Sequence, residues 1–190
     1  MTAKSILGGV LLLILSLGLT ANVNQVQPDH NFMLRTKAIT PPPLSTEQKV
    51  LVDHLSDKYD KPLNQVERIV RVAYTEAKKH SLSPLLVLAI IEKESSLKDN
   101  ARSNYGAVGL MQVVPRYHLE KLKNGEKSQA FLVPETNIRV GTQILSDYML
   151  KNNGNLKKAL KKYSGNAADY SKTVIVLKTN LEKVTRTAVA

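Results

Sequence analysis

The sequence predicts an all-α domain, and three observations carry that expectation. Apolar residues recur with the 3.6-residue period of a helix. One segment, residues 85–91, is apolar on every side, the pattern of a helix buried at the centre of a fold. The β-branched run at 173–176 is the one strand-like stretch, and no alternating segment offers it a partner. The expected layout is a signal peptide or membrane anchor over residues 1–21, a proline-containing linker over 22–43, and a compact helical domain over 44–190.

The elements follow in order. Lys4 is the only charge before Asp29, and residues 6–19 are almost wholly apolar. A short basic start followed by an apolar run reads as a secretory signal. Leu19 is large for the −3 position of a cleavage site after Ala21, and the charge-free span approaches the roughly 20 residues that cross a bilayer. An uncleaved anchor over residues 5–21 therefore stands beside a cleaved signal. Both export the rest of the chain. Residues 22–43 are polar and aperiodic and end in Pro41-Pro42-Pro43, which favours an extended polyproline stretch.

From Leu44 onward the pattern is helical. Ser45 and Gln48 form a capping box. Val66, Ile69, Val70, Ala73, Tyr74 and Ala77 make one apolar face. Ser83-Pro84 opens the central helix, with Ser83 as its cap. Ile138, Gly141, Leu145 and Tyr148 mark a further helix. Leu156, Ala159, Leu160 and Tyr163 mark another, with Lys157, Lys158, Lys161 and Lys162 facing away. Tyr170, Val174, Leu177, Leu181 and Val184 mark the last. The lysine-rich stretch from 117 to 132 is expected at a lobe edge.

Composition narrows the function. The 190 residues carry no cysteine, which excludes a disulfide scaffold, a thiol nucleophile, a zinc–thiolate site, an iron–sulfur cluster and a cysteine-linked lipid anchor. Lys+Arg number 27 against 16 Asp+Glu, a net charge of +11 that attracts anionic polymers. Residues 151–190 alone hold eight lysines and Arg186 against Asp169 and Glu182. They suit a solvated helix face, or attraction to an anionic wall or membrane leaflet. Export makes nucleic acid a remote partner. His30, His54, His80 and His118 are scattered, without metal or triad spacing, and are expected at the surface. No metal or organic cofactor is implied, and no phosphate loop or dinucleotide fingerprint appears.

Two carboxylates end the central helix, in Glu92-Lys93-Glu94-Ser95. They differ by about 200° around the axis, so one can face inward and the other outward. An inward glutamate at a helix C-terminus is desolvated and near the negative end of the helix dipole. Both effects raise its pKa, as a general acid requires. Glu92 is expected at the surface beside a lysine. The next segment, Gly106-Ala107-Val108-Gly109-Leu110-Met111-Gln112, has two glycines that permit a tight turn or close ligand approach.

These motifs resemble the catalytic domain of soluble-type lytic transglycosylases, relatives of goose-type lysozyme. Glu94-Ser95 follows an apolar helix as that family's first motif does. Gly109-Leu110-Met111-Gln112 is the second motif intact. Pro134-Glu135-Thr136-Asn137-Ile138-Arg139-Val140-Gly141 matches the helix that opens Pro-x-x-Asn-Ile-x-x-Gly. Lys162-Tyr163-Ser164-Gly165, with Tyr170 downstream, matches the third motif, except that Ser164 stands where asparagine is usual. The order and spacing hold from about 85 to 170.

The resemblance implies a lysozyme-like fold, a bacterial or phage or plasmid host, and a peptidoglycan glycan strand as substrate. It implies cleavage between N-acetylmuramic acid and N-acetylglucosamine with a 1,6-anhydro product, Glu94 serving as both acid and base. Ser95 and Tyr163 would bond Glu94 or the neighbouring sugar. Gln112 would bond sugar polar groups, and Ser164 replaces one sugar contact. Met111 would press on a sugar face, Gly109 would thin the cleft wall, and Tyr170 would close the site or join the core. Two alternatives remain. Asp99, if it reached the cleft, would supply the second carboxylate of a lysozyme-type hydrolase. A non-catalytic wall-binding or assembly protein would suit export and basic charge, and partners in a secretion or conjugation apparatus fit the same location.

Overall fold

The computed structural model describes residues 41–189; the expected signal or anchor over 1–21, residues 22–40 of the expected linker, and His30 lie outside the described residues. Six α-helices follow: α1 (Thr46–Tyr59), α2 (Leu63–Lys79), α3 (Pro84–Ser95), α4 (Pro134–Lys151), α5 (Leu156–Tyr163) and α6 (Tyr170–Val189). Short 3₁₀ turns at Pro115–Tyr117, Leu119–Lys121 and Ser128–Leu132 fill the connection between α3 and α4. Residues 173–176 are helical, and among the described residues the only bridges are the isolated pairs Arg102–Val108 and Val108–Val113. No described helix is long and apolar enough to cross a membrane.

Local chemistry sets the helix starts. Ser45 Oγ accepts from the Gln48 amide at 3.2 Å, and Gln48 Oε1 accepts from the Ser45 amide at 3.0 Å, completing the expected capping box. Asn155 caps α5 in the same manner, accepting from the Lys158 amide at 3.0 Å. Ser83 departs from expectation, because its hydroxyl makes no cap bond. Its carbonyl already takes the Leu86 and Val87 amides, and Pro84 has no N–H to offer.

Residues 85–91 are all buried, so α3 is the core helix its composition predicts. Helices α2 and α6 pack on it, α1 lies against α2 and α6, and α4 joins α2 to α5. Each buried Leu, Ile or Val removes apolar surface worth about 1.5–3 kcal/mol. The lysine-rich edge at 117–132 is held from inside by Phe131, which is fully buried, and from outside by Lys121 Nζ, 2.6 Å from Asp147 Oδ2.

Glu92 corrects the sequence reading. It is 3% exposed rather than superficial. The end of α1 brings Lys58 Nζ to 2.5 Å and Tyr59 Oη to 2.8 Å from its Oε2. The lysine partner was expected; the second layer of helix over it was not. A helical wheel gives a direction from the axis, and it does not say which element covers that direction.

Gly141 on α4 sets how closely that helix approaches the 106–113 loop. A Cβ there would stand 2.7 Å from both Cβ and Sδ of Met111, whose side chain is fully buried. Alanine in a helix interior is favoured over glycine by about 1 kcal/mol, while overpacking a rigid core costs about 1–3 kcal/mol. Gly141→Ala is therefore expected to lower the melting temperature measured by circular dichroism. A rise would mean that Met111 yields freely and that helix propensity prevails.

Candidate active site

The site is assembled on the loop that α4 holds in place. Asn137, fully buried, donates through Nδ2 to the Val108 carbonyl at 2.8 Å and to the Phe131 carbonyl at 2.7 Å. Its Oδ1 accepts from the Met111 amide at 2.7 Å. One side chain thereby bonds three buried backbone groups; the Val108 carbonyl also accepts from the Val113 amide at 3.1 Å, while a buried group left unpaired costs about 1–3 kcal/mol. Gly109 makes the approach possible: at φ +76°, a Cβ would lie 2.3 Å from Asn137 Nδ2. The expectation that Gly109 thins a cleft wall is corrected, since the space it leaves is taken by the Asn137 amide.

Met111 and Ser95 are corrected in the same sense. Met111 is fully buried against Gly141 and presents no face to a ligand. Ser95 Oγ donates to the carbonyls of Ile91 at 3.1 Å and Leu110 at 2.9 Å, tying the α3 end to the loop rather than bonding Glu94. Tyr163 Oη donates to the Met111 carbonyl at 2.9 Å, so it too fixes the loop instead of the carboxylate. Burial and the charge of Glu94 keep its phenol well above the ordinary range.

Glu94, Gln112, Tyr163, Ser164 and Tyr170 do come together, lining a cavity of about 560 Å³. That volume falls within the range of small-molecule sites. Glu94 is the only carboxylate among the described residues that line it. Its Oε1 accepts a bond from Tyr170 Oη at 2.5 Å, and among the described residues none hydrogen-bonds Oε2. Burial raises the Glu94 pKa above its ordinary value, against the opposing pull of the Tyr170 bond and the Lys93 charge. Tyr170, 5% exposed, opens α6 and stacks near Tyr163, with ring centroids 6.5 Å apart. It lines the cavity and is also part of the hydrophobic core.

Gln112 sits at φ +47° and donates through Nε2 to the Gly109 carbonyl at 3.0 Å. Ser164 Oγ donates to the Lys161 carbonyl at 3.0 Å. Ser96 and Leu97 follow Glu94 with φ +49° and +61°, and Asp169 precedes Tyr170 at +56°. Left-handed backbone at non-glycine residues costs roughly 1–2 kcal/mol each and clusters at functional sites. Here it ends α3 abruptly, sends Leu97 into the core and leaves Glu94 at the cavity.

Asp99 is half-buried in the loop after α3 and is not among the cavity residues; its charge acts on Arg68 instead. His118 is corrected from surface to cavity lining, and burial lowers its pKa. Its position depends on the irregular 115–121 turns, which carry no periodic signal. Tyr148 also lines the cavity, although its spacing on α4 pointed only to core. Asn137 was visible only as part of a motif; nothing local marks a buried asparagine as a three-bond tie.

A carboxylic acid of raised pKa, with one oxygen held and the other open to a cavity, can deliver a proton and take one back. A pH titration of Glu94 by carbon NMR is expected to give a pKa above 4.5. Tyr170→Phe removes a bond that favours the ionised form, so the value should rise further. A fall in that variant would show that Tyr170 does not act on the carboxylate.

Comparison with known proteins places the chain. The Transglycosylase SLT domain family matches residues 71–175. Membrane-bound lytic murein transglycosylase C of Haemophilus ducreyi is 34% identical over 104 residues, covering 52% of this chain and 26% of that protein. Membrane-bound lytic murein transglycosylase E of Buchnera aphidicola is 35% identical over 78 residues, covering 38% of this chain and 35% of that protein. The chain thus spans about a quarter to a third of the length of these relatives. An inactive mutant of lytic transglycosylase Slt from Pseudomonas aeruginosa matches at TM-score 0.47 and 25% identity, over 62% of this chain and 22% of that one. The matched span holds α3 with Glu94, the Asn137-tied loop, α5 and Tyr170, and the chain belongs to the Transglycosylase SLT domain family.

Proposed function

We propose that this protein is a peptidoglycan lytic transglycosylase that cleaves the β-1,4 bond between N-acetylmuramic acid and N-acetylglucosamine, with Glu94 as its single acid and base. The observation that carries the reading is a lone, desolvated carboxyl in a ligand-sized cavity. A hydrolase of the usual kind needs two carboxyl groups about 5–9.5 Å apart, and Asp99 does not line this cavity. The names of the relatives, lytic murein transglycosylases, support the same substrate.

In the first step protonated Glu94 gives its proton to the glycosidic oxygen. The bond from that oxygen to C1 breaks, and the N-acetylglucosamine side leaves as an alcohol. C1 is left with oxocarbenium character, aided by the substrate's own acetamido group. In the second step the C6 hydroxyl of the same muramyl residue bonds to C1, and its proton passes to the Glu94 carboxylate. The 1,6-anhydro ring closes, Glu94 regains the proton it gave, and no water is consumed. Tyr170 holds one carboxyl oxygen so that the other performs both transfers. Gln112 and Ser164 supply polar groups for the sugar, while Ser95, Gly109, Met111 and Tyr163 act by fixing the loop that carries Gln112.

Activity requires the protonated form, so it falls as pH rises through the elevated Glu94 value. The proposed location is the cell envelope, outside the inner membrane, with residues 5–21 as signal or anchor, 22–43 as linker and 44–190 as the catalytic domain. The names of the relatives, "membrane-bound", support an envelope location.

The test is mass spectrometry of muropeptides released from purified peptidoglycan by the full chain and by Glu94→Gln. Anhydro-ended products from the parent, reduced roughly 100- to 10,000-fold in the variant, are expected. Reducing, hydrated ends would make the protein a lysozyme-type hydrolase. Wall binding without products from either chain would make it a binding protein.

A further inference from the structure

We infer that Tyr105, Arg116 and Tyr117 form a preassembled stacking subsite for an N-acetylhexosamine ring of the glycan strand, away from the bond being cut; this rests on the glycan-cleaving role proposed for the cavity. Both tyrosines line the same cavity as Glu94, yet they are 63% and 55% exposed. Large aromatic side chains left this open contribute little to the core, and the chain is sparing with them, at 5% aromatic.

The three side chains are nevertheless locked together. The Arg116 guanidinium carbon stands 4.4 Å from the Tyr105 ring centroid and 4.6 Å from that of Tyr117. Arg116 Nη1 donates to the Tyr105 carbonyl at 2.8 Å, and the two phenol oxygens are 3.0 Å apart. The ring centroids lie 6.5 Å apart at 40°. Gly106, at φ +90°, lets the guanidinium come close; a Cβ there would be 3.2 Å from Nη1. Pro115 opens the turn that carries Arg116 and Tyr117, fixing its backbone. Arg116 pairs with no carboxylate among the described residues, so its charge is spent on the two rings.

This arrangement matches a pyranose ring. One sugar face is a flat set of C–H bonds, which suits the electron-rich face of a phenol ring. The sugar's edge carries hydroxyl and acetamido groups, which suit phenol hydroxyls and the remaining guanidinium N–H groups. Rotors already fixed before binding lose little entropy on binding. The strand would then be gripped at two places, at Glu94 and at the tyrosines, which favours long strands over short ones.

The test compares the full chain with Tyr105→Ala/Tyr117→Ala and with Tyr105→Phe/Tyr117→Phe. Steady-state cleavage of purified glycan strands, calorimetric binding of N-acetylglucosamine oligomers, and melting temperature are measured for each. The alanine pair is expected to raise KM on long strands, and Kd for oligomers, about 10-fold or more. Its kcat and melting temperature should stay near the parent's, and the phenylalanine pair should recover most of the affinity. Unchanged KM and Kd in the alanine pair would overturn the inference. So would a fall in melting temperature that tracks the loss of activity, which would make the cluster a brace for the loop. If the parent cleaves no strands, the catalytic reading fails, and oligomer binding still decides the subsite on its own.

Discussion

The Asn137 side chain is the constraint on which the site depends. The loop at 106–113 is too irregular to satisfy its own backbone, yet it runs through the interior, with Val108, Leu110, Met111 and Val113 all buried. Buried backbone groups must be paired. Two short bridges pair some of them, the Val108 carbonyl included, and Asn137 adds a second bond to that carbonyl while pairing the Met111 amide. A side-chain amide carries a two-donor nitrogen and an acceptor oxygen side by side, so it can bond one carbonyl and one N–H of the same loop. Aspartate lacks the donors and leucine lacks both. The missing side chains at Gly109 and Gly141 are the steric complement of that tie, clearing room for the amide on one side and for Met111 on the other.

From this tie the rest of the site follows outward. With Met111 pinned, its carbonyl becomes a fixed acceptor for Tyr163, and the Leu110 carbonyl one for Ser95. Helix α5 and the end of α3 are thereby registered against one loop. Tyr163 in turn neighbours Tyr170, whose hydroxyl meets Glu94 across 76 residues of sequence. The carboxyl is held by a chain of contacts that begins inside the protein, so its position does not depend on a ligand being present.

Much of this was legible in the sequence. The all-α class, the α1 capping box, the buried α3 and the amphipathic lysine face of α5 all follow from local pattern, because local pattern determines which side of a helix is apolar. The gathering of Glu94, Gln112, Tyr163, Ser164 and Tyr170 followed from motif order. What did not follow was the division of labour within the motifs. Ser95, Gly109 and Met111, read as touching the carboxylate or the sugar, serve the loop, and Tyr163 bonds the loop while also lining the cavity, because a motif records which residues are required and not what each one touches. Glu92 and His118 failed for a related reason. Their burial is imposed by α1 and by the 115–121 turns, elements whose packing no helical period encodes.

The two glutamates of α3 show how position, not residue type, sets the chemistry. They lie about 200° apart on one helix. Glu92 faces α1, where Lys58 and Tyr59 both donate to its Oε2. Glu94 faces a cavity, where a phenol donates to one oxygen and Lys93 acts only at a distance. There desolvation prevails, and the Glu94 pKa is raised. Two carboxyl groups two residues apart on one helix thus meet different surroundings, one held by a cation and a phenol against α1, the other by a phenol alone at a cavity.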